Sequence, residues 1–130
     1  MAKTALIIQC DIVAKKCVGY ACMKSFETRT GKFAGLEEGV NYLSTTCGMG
    51  VAAKLEDLNR KLKRWGDSKD DVTVYLASCI VSDNYHNPPC PHKEYIKEIV
   101  ERKGYKFISG TYISKTAQKK REAGIYKPLE

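Results

Sequence analysis

Six cysteines, Cys10, Cys17, Cys22, Cys47, Cys79 and Cys90, and one of the two histidines, His92, stand out in this 130-residue chain as residues whose types could do chemistry. Thiolates are soft ligands for zinc and for iron–sulfur clusters, and they are the nucleophiles of thiol exchange. In a small secreted domain six cysteines would read as disulfides. In a reducing compartment the same abundance points to metal binding or thiol chemistry. The spacing is irregular. No C-x-x-C occurs, so no zinc ribbon, thioredoxin-type motif or haem attachment site can be drawn, and Cys10-x6-Cys17-x4-Cys22 fits no ferredoxin pattern. Position in the fold has to supply what spacing does not.

Four short segments read as strands. Thr4-Ala-Leu-Ile-Ile8 is a continuous apolar run, the mark of a strand buried on both faces. Val40 to Thr46 and Val72 to Ala77 are rich in β-branched and aromatic residues, and Tyr105 to Tyr112 makes a fourth. The clearest helix lies between the second and third strands, where Val51, Leu55, Leu58, Leu62 and Trp65 form one apolar stripe, with Gly66 to end it. A second helix runs from about Pro91 to Arg102, with Tyr95, Ile96, Ile99 and Val100 on one side and Gly104 beyond it. A weaker pattern spans about Tyr20 to Thr28, with Ala21, Met23 and Phe26 partly apolar. Strands alternating with helices predict a three-layer α/β fold, Rossmann-like or flavodoxin-like. The expected sheet has four parallel strands in the order 2-1-3-4, one strand fewer than flavodoxin.

That fold puts every cysteine at one rim. Cys10 follows the first strand, Cys47 the second and Cys79 the third, all at the carboxyl edge where open α/β sheets bind their ligands. Neighbouring strands are about 4.8 Å apart, so thiols at adjacent strand ends can share an ion held at about 2.3 Å from each sulfur. Cys17, Cys22, Cys90 and His92 lie on the loops leaving the same ends. The opposite rim, with the loops around Gly31 to Gly39, Gly66 to Asp71 and Gly104, has no cysteine. The bland alternative is that single thiols, Cys79 above all, serve as small buried hydrophobes.

Two local motifs refine the set. Thr46-Cys-Gly-Met-Gly50 lies just before a helix, so backbone N–H groups and the positive end of the helix dipole favour a thiolate at Cys47. A phosphate loop is the rival reading, weakened because no Lys-Ser/Thr follows, and a Cys-x5-Arg phosphatase is disfavoured because Ala53 stands where its arginine would be. Pro88-Pro-Cys-Pro-His92 restricts the backbone on both sides of Cys90, which lowers the entropy lost on fixing Cys90 and His92 as ligands. A plain helix start is the competing reading of those residues. His92-Lys-Glu94 imitates the zinc deaminases, but the downstream Pro-Cys-x-x-Cys is missing.

Taken together, these residues resemble the CGGC-domain family, from about Ala5 to Thr111. The matching positions are Cys10, Lys16-Cys17, Gly19, Cys22, Phe26, Cys47-Gly48, Ser78-Cys79, Asp83 and Cys90-Pro91-His92. The resemblance implies metal binding on a Rossmann-like α/β layer and no established reaction. Cys47-Gly48-Met49-Gly50 departs from the motif that names the family, because Gly50 replaces its second cysteine. A dithiol step between those two positions is left with one thiol.

Composition sets the outer limits. Hydrophobic residues are 43% and charged residues 28%, ordinary for a globular chain. No apolar run approaches the length of a membrane span, and the early apolar stretch is too short for a secretory signal, so a cytoplasmic protein is expected. The net charge of +7 is concentrated near the end: Lys103 to Lys127 holds seven bases against one acid, while the rest is nearly balanced. The organisation that follows is an α/β domain over residues 1–113 and a basic extension over 114–130. Such an extension is either a solvated tail or a means of holding nucleic acid or another acidic partner. The leading expectation is a metal site drawn from Cys10, Cys17, Cys22, Cys47, Cys79, Cys90 and His92, with Cys10, Cys47 and Cys79 at its core. Zinc suits a mixed Cys/His set, an iron–sulfur cluster an all-cysteine one. The alternatives are a thiol redox or thiol-transfer enzyme with Cys47 as nucleophile, and a nucleic-acid-binding module.

Overall fold

The continuous apolar run near the start becomes the strand β1 (Lys3–Gln9), and Ala5 to Ile8 are all buried because it is covered on both faces and paired on both edges. The computed structural model describes residues 3–48, 50–81 and 90–125. β2 (Val40–Thr46) runs parallel to β1 on one side and β3 (Val72–Leu76) on the other, with β4 (Lys106–Ser109) beyond β3. The order is β2-β1-β3-β4, all parallel, the three-layer α/β architecture expected from the sequence. Register pairs Leu6 with Leu43 and Val74, and Ile8 with Thr45 and Leu76.

Alternation along β1 feeds two cores. Leu6 and Ile8 join Val74, Leu76, Val100 and Tyr105 beneath α3 (Val51–Arg64) and α5 (Lys93–Arg102). Ala5 and Ile7 face Phe33 and Tyr75 on the other side, beneath α2 (Tyr20–Thr28). Leu55, on the stripe of α3, is almost fully buried, a contribution of about 1.5–3 kcal/mol for a side chain of that size. The Tyr105 hydroxyl donates to the Leu55 carbonyl at 3.2 Å, and Lys103 pairs with Glu56, so α3 and the end of α5 are tied together. The smaller core is built on rings: Phe33 lies 4.6 Å from Tyr75 and 5.5 Å from Phe26 between centroids. Arg29 closes it. As the C-cap of α2 it adopts φ 55°, and its guanidinium lies 4.5 Å over the Phe26 ring while donating to the carbonyls of Phe26, Leu36 and Glu37.

Three expectations need correction. Trp65 is 67% exposed rather than part of the α3 stripe, because the helix ends at Arg64 and the indole turns out beneath the Arg64 guanidinium, 5.4 Å away. Tyr95 is also exposed: Ile96 and Val100, one turn apart, point inward, and a residue about 100° round the helix cannot share their face. The fourth strand stops at Ser109, where Gly110 turns the chain with φ 97°. Three short helices carry no readable pattern: α1 (Asp11–Ala14), α4 (Ser78–Val81) and α6 (Lys115–Glu122). α6 begins where the sequence reads as a polar extension. The Ser114 hydroxyl accepts from the Ala117 N–H, and Ala117 and Arg121 are buried. No helix among the described residues is long and apolar enough to cross a membrane.

Candidate metal centre

All three inner and edge strands that carry a following cysteine end at the same rim. Cys10 ends β1 and starts α1, Cys47 continues the ladder of β2 by donating its N–H to the Gln9 carbonyl at 3.0 Å, and Cys79 is the second residue of α4. The two-residue step from Leu76 to Ser78 is tight because Ala77 N–H still reaches the Ile8 carbonyl, at 2.9 Å, before the chain bends into the helix.

A small pocket of about 40 Å³ opens at this rim, lined by Cys17, Cys22 and Cys79 together with Gln9, Ser78 and Tyr112. Cys10 joins from the side: its N–H points to Cys79 Sγ at 3.4 Å. Cys17 Sγ accepts from the Gly19 N–H at 3.4 Å, and Cys22 Sγ lies 3.2 Å from Thr111 Oγ1. Thr111 is itself fully buried. Its Oγ1 accepts from the Ser78 N–H, while Ser78 Oγ accepts from the Thr111 N–H and donates to the Tyr112 carbonyl. This reciprocal pair fixes the β4 exit against α4, and so ties Cys22, which Thr111 touches, to the helix that carries Cys79. Gly19, with φ 80°, has no room for a side chain, because a Cβ there would collide with the Gln9 amide.

Burial governs the thiols in this pocket. It pushes Cys79 up to about 11, against the stabilising N–H of Cys10, and the neighbouring Cys10, Cys22 and Cys17 raise it further. Burial also raises Cys22, although the hydrogen bonds from Thr111 and the Tyr112 backbone oppose the shift and Cys17 adds to it. At neutral pH both are thiols, so a metal must displace their protons.

The other predicted ligands lie elsewhere on the rim. Cys47 and Cys90 pack against the α3–α5 core, as do Cys10 and Cys79 on that side. Cys90 N–H donates to the Ile80 carbonyl at 2.7 Å, and its Sγ accepts from the His92 N–H at 3.4 Å. His92 is exposed at the N-cap of α5. Asp83, Pro88, Pro89 and Met49 lie outside the described residues. At the Cys47 turn, a Cβ on Gly48 would come within 2.6 Å of Asp11 Oδ1, and the same carboxylate accepts from Thr46 Oγ1 at 3.2 Å. Lys54, from the first turns of α3, binds the Thr46 carbonyl and hydroxyl. Asp11, Thr46 and Lys54 are thus the fasteners of this turn, and nothing in their spacing along the chain announces it.

Among the described residues, no three His, Cys, Asp or Glu side chains converge closely enough to grip one ion. The donor set of the pocket nevertheless fits a thiophilic metal. Four cysteines surround or adjoin it, its volume exceeds that of one water molecule, and no lysine or arginine lines it.

A parallel four-stranded sheet with thiols gathered at its carboxyl edge defines the class: a cysteine-rich α/β protein. More narrowly, the chain belongs to the CGGC-domain family, whose model matches residues 4–112. Metal binding is the property that membership suggests. No curated protein and no solved structure matches the chain.

Proposed function

We propose that the protein binds a thiophilic metal, zinc or an iron–sulfur cluster, through Cys10, Cys17, Cys22 and Cys79. The observation that carries this reading is the shared pocket: three of these cysteines line one 40 Å³ space, and the fourth donates its N–H to the third sulfur. Each cysteine has a single side-chain torsion, so drawing the sulfurs inward is a rotamer change rather than a rearrangement of the sheet. Cys47, Cys90 and His92 complete or tune the site from its other side. When bound, the metal supplies either a structural crosslink or a redox centre. The chain's own residues supply thiolates, exclude bulk water with Gln9 and Tyr112, and give up the protons held by Cys22 and Cys79. Affinity therefore rises with pH as the thiols are relieved of their protons.

The test is elemental analysis and an absorption spectrum of anaerobically purified protein, beside Cys22→Ser and Cys79→Ser. About one metal centre per wild-type chain is expected, with loss of most of it in both variants. Visible sulfur-to-iron absorption identifies a cluster, and its absence with stoichiometric zinc identifies the ion. Metal-free wild-type protein, or full retention in both variants, overturns the proposal.

A further inference from the structure

The walls of the thiol pocket carry no charged side chain. Besides Cys17, Cys22 and Cys79 they are the hydrocarbon of Val13 and Ala21 and the neutral Gln9, Ser78 and Tyr112. Among the described residues no carboxylate, histidine, lysine or arginine lines the space. Its volume of about 40 Å³ suits a single atom bonded to the walls. Cys17 precedes α2, Cys22 lies in the first turn of α2, and Cys79 belongs to α4. The three are mutual neighbours: Cys17 and Cys22 both act electrostatically on Cys79, and Cys17 acts on Cys22. Backbone N–H groups of Gly19 and Cys10 point at the sulfurs of Cys17 and Cys79.

Charge decides what such a set holds best. Three thiolates bring three negative charges, and burying a net charge without a partner is strongly unfavourable. A divalent ion on these three leaves one negative charge, and the walls offer no cation to offset it. A trivalent ion leaves none. Sulfur ligands select soft ions, so the hard trivalent metals are poor candidates and the trivalent metalloids are good ones.

We propose that Cys17, Cys22 and Cys79 together capture a trivalent metalloid, taken up as arsenous acid. The inference rests on the shared pocket of the reading above and adds a ligand class that is neither zinc nor iron. The step balances without an oxidant. One arsenous acid and three thiols give one arsenic tris-thiolate and three waters. Three As–O bonds break and three As–S bonds form, each thiol proton leaves on a hydroxide as water, and arsenic stays trivalent. Reactant and product are both uncharged, so the pocket gains no net charge. Three-coordinate arsenic is pyramidal, with a lone pair on its open side, and needs no fourth ligand from the chain. Closing the sulfurs on it takes rotation about one torsion at each cysteine.

Titration of the full chain, kept reduced, with sodium arsenite under native mass spectrometry tests the assignment. One adduct per chain is expected, heavier by one arsenic atom less three hydrogens. Capture by two thiols keeps one hydroxyl and is heavier by a further water, so the mass counts the sulfurs. Cys22→Ser and Cys79→Ser should each weaken arsenite binding at least about a hundredfold, because one arm of the chelate is lost. Cys17→Ser, at a half-buried position outside the helices, keeps the test decisive if Cys79→Ser fails to fold. A two-thiol adduct on the wild-type chain, or undiminished binding in the folded variants, overturns the inference. The two readings fail separately. A chain that retains zinc or iron and takes no arsenic overturns this one alone. A chain free of native metal that takes arsenic on three thiols overturns only the one above.

Discussion

Cys17 and Cys22 on one face of the sheet, and Cys47 and Cys90 on the other, are the same residue type at the same edge, yet they are held differently. On the α2 side, the sulfurs of Cys17, Cys22 and Cys79 each meet a hydrogen-bonding group, Gly19 N–H, Thr111 hydroxyl and Cys10 N–H, around one shared space. On the α3–α5 side, Cys47 and Cys90 pack against aliphatic core residues, as Cys10 and Cys79 also do, and neither Cys47 nor Cys90 lines that space. Packing on hydrocarbon does not separate the two sets, since Cys10, Cys22 and Cys79 share it; lining the common space does. The lesson is that a common rim does not make a common pocket. Three of the six thiols line that space, and Cys10 adjoins it through its N–H.

The comparison breaks most readily at the metal. Cys79→Ala should remove most bound metal, while Cys90→Ala should keep at least about half, and elemental analysis of the two side by side decides it. If both lose the metal equally, the two halves are one site. Next in size is Gly19→Ala, which combines a left-handed backbone with a collision at Gln9. A loss of more than about 1–2 kcal/mol in urea unfolding is expected. Gly48→Ala, whose Cβ meets the Asp11 carboxylate rather than a strained backbone, should lose less. Thr111→Val deletes the group that joins Cys22 to Ser78, and it should destabilise the fold by about 1–3 kcal/mol, measured the same way. The smallest effect is in alkali. Cys79 in the folded state holds its proton to about 11 where the ordinary value is 9.0, so its contribution is complete below pH about 9. Above that the unfolded chain ionises first, and metal-free protein should lose stability between pH about 9 and about 11. Cys79→Ala should flatten that fall.

Much of the scaffold was legible because it rests on periodicity. β2 and α2 have the bounds that their apolar patterns suggest, and the strand order follows from alternation and handedness alone. Trp65 and Tyr95 misled because an apolar residue at the right spacing still depends on where the helix stops and how far round it sits. α4 was invisible for a different reason: four residues are too few for a period, and its start is set by the reciprocal Ser78–Thr111 bonds between segments 33 residues apart. The rim placement of Cys10, Cys47 and Cys79 was readable from strand ends. The division of the six by face was not, since it depends on the side to which each loop folds back. Asp11, Thr46 and Lys54 escaped notice because short polar residues near a turn are common, and their joint role exists only once β1 and β2 lie side by side.

Cys79 packs against both hydrophobic layers, the one beneath α3 and α5 and the one beneath α2. Its side chain therefore touches both layers where they meet at the rim. A bulky adduct fixed to it, an alkylating reagent included, is expected to disturb both layers at once. Chemical labelling of that one atom should loosen the protein globally, whereas labelling the outlying Cys90 should leave the opposite layer undisturbed.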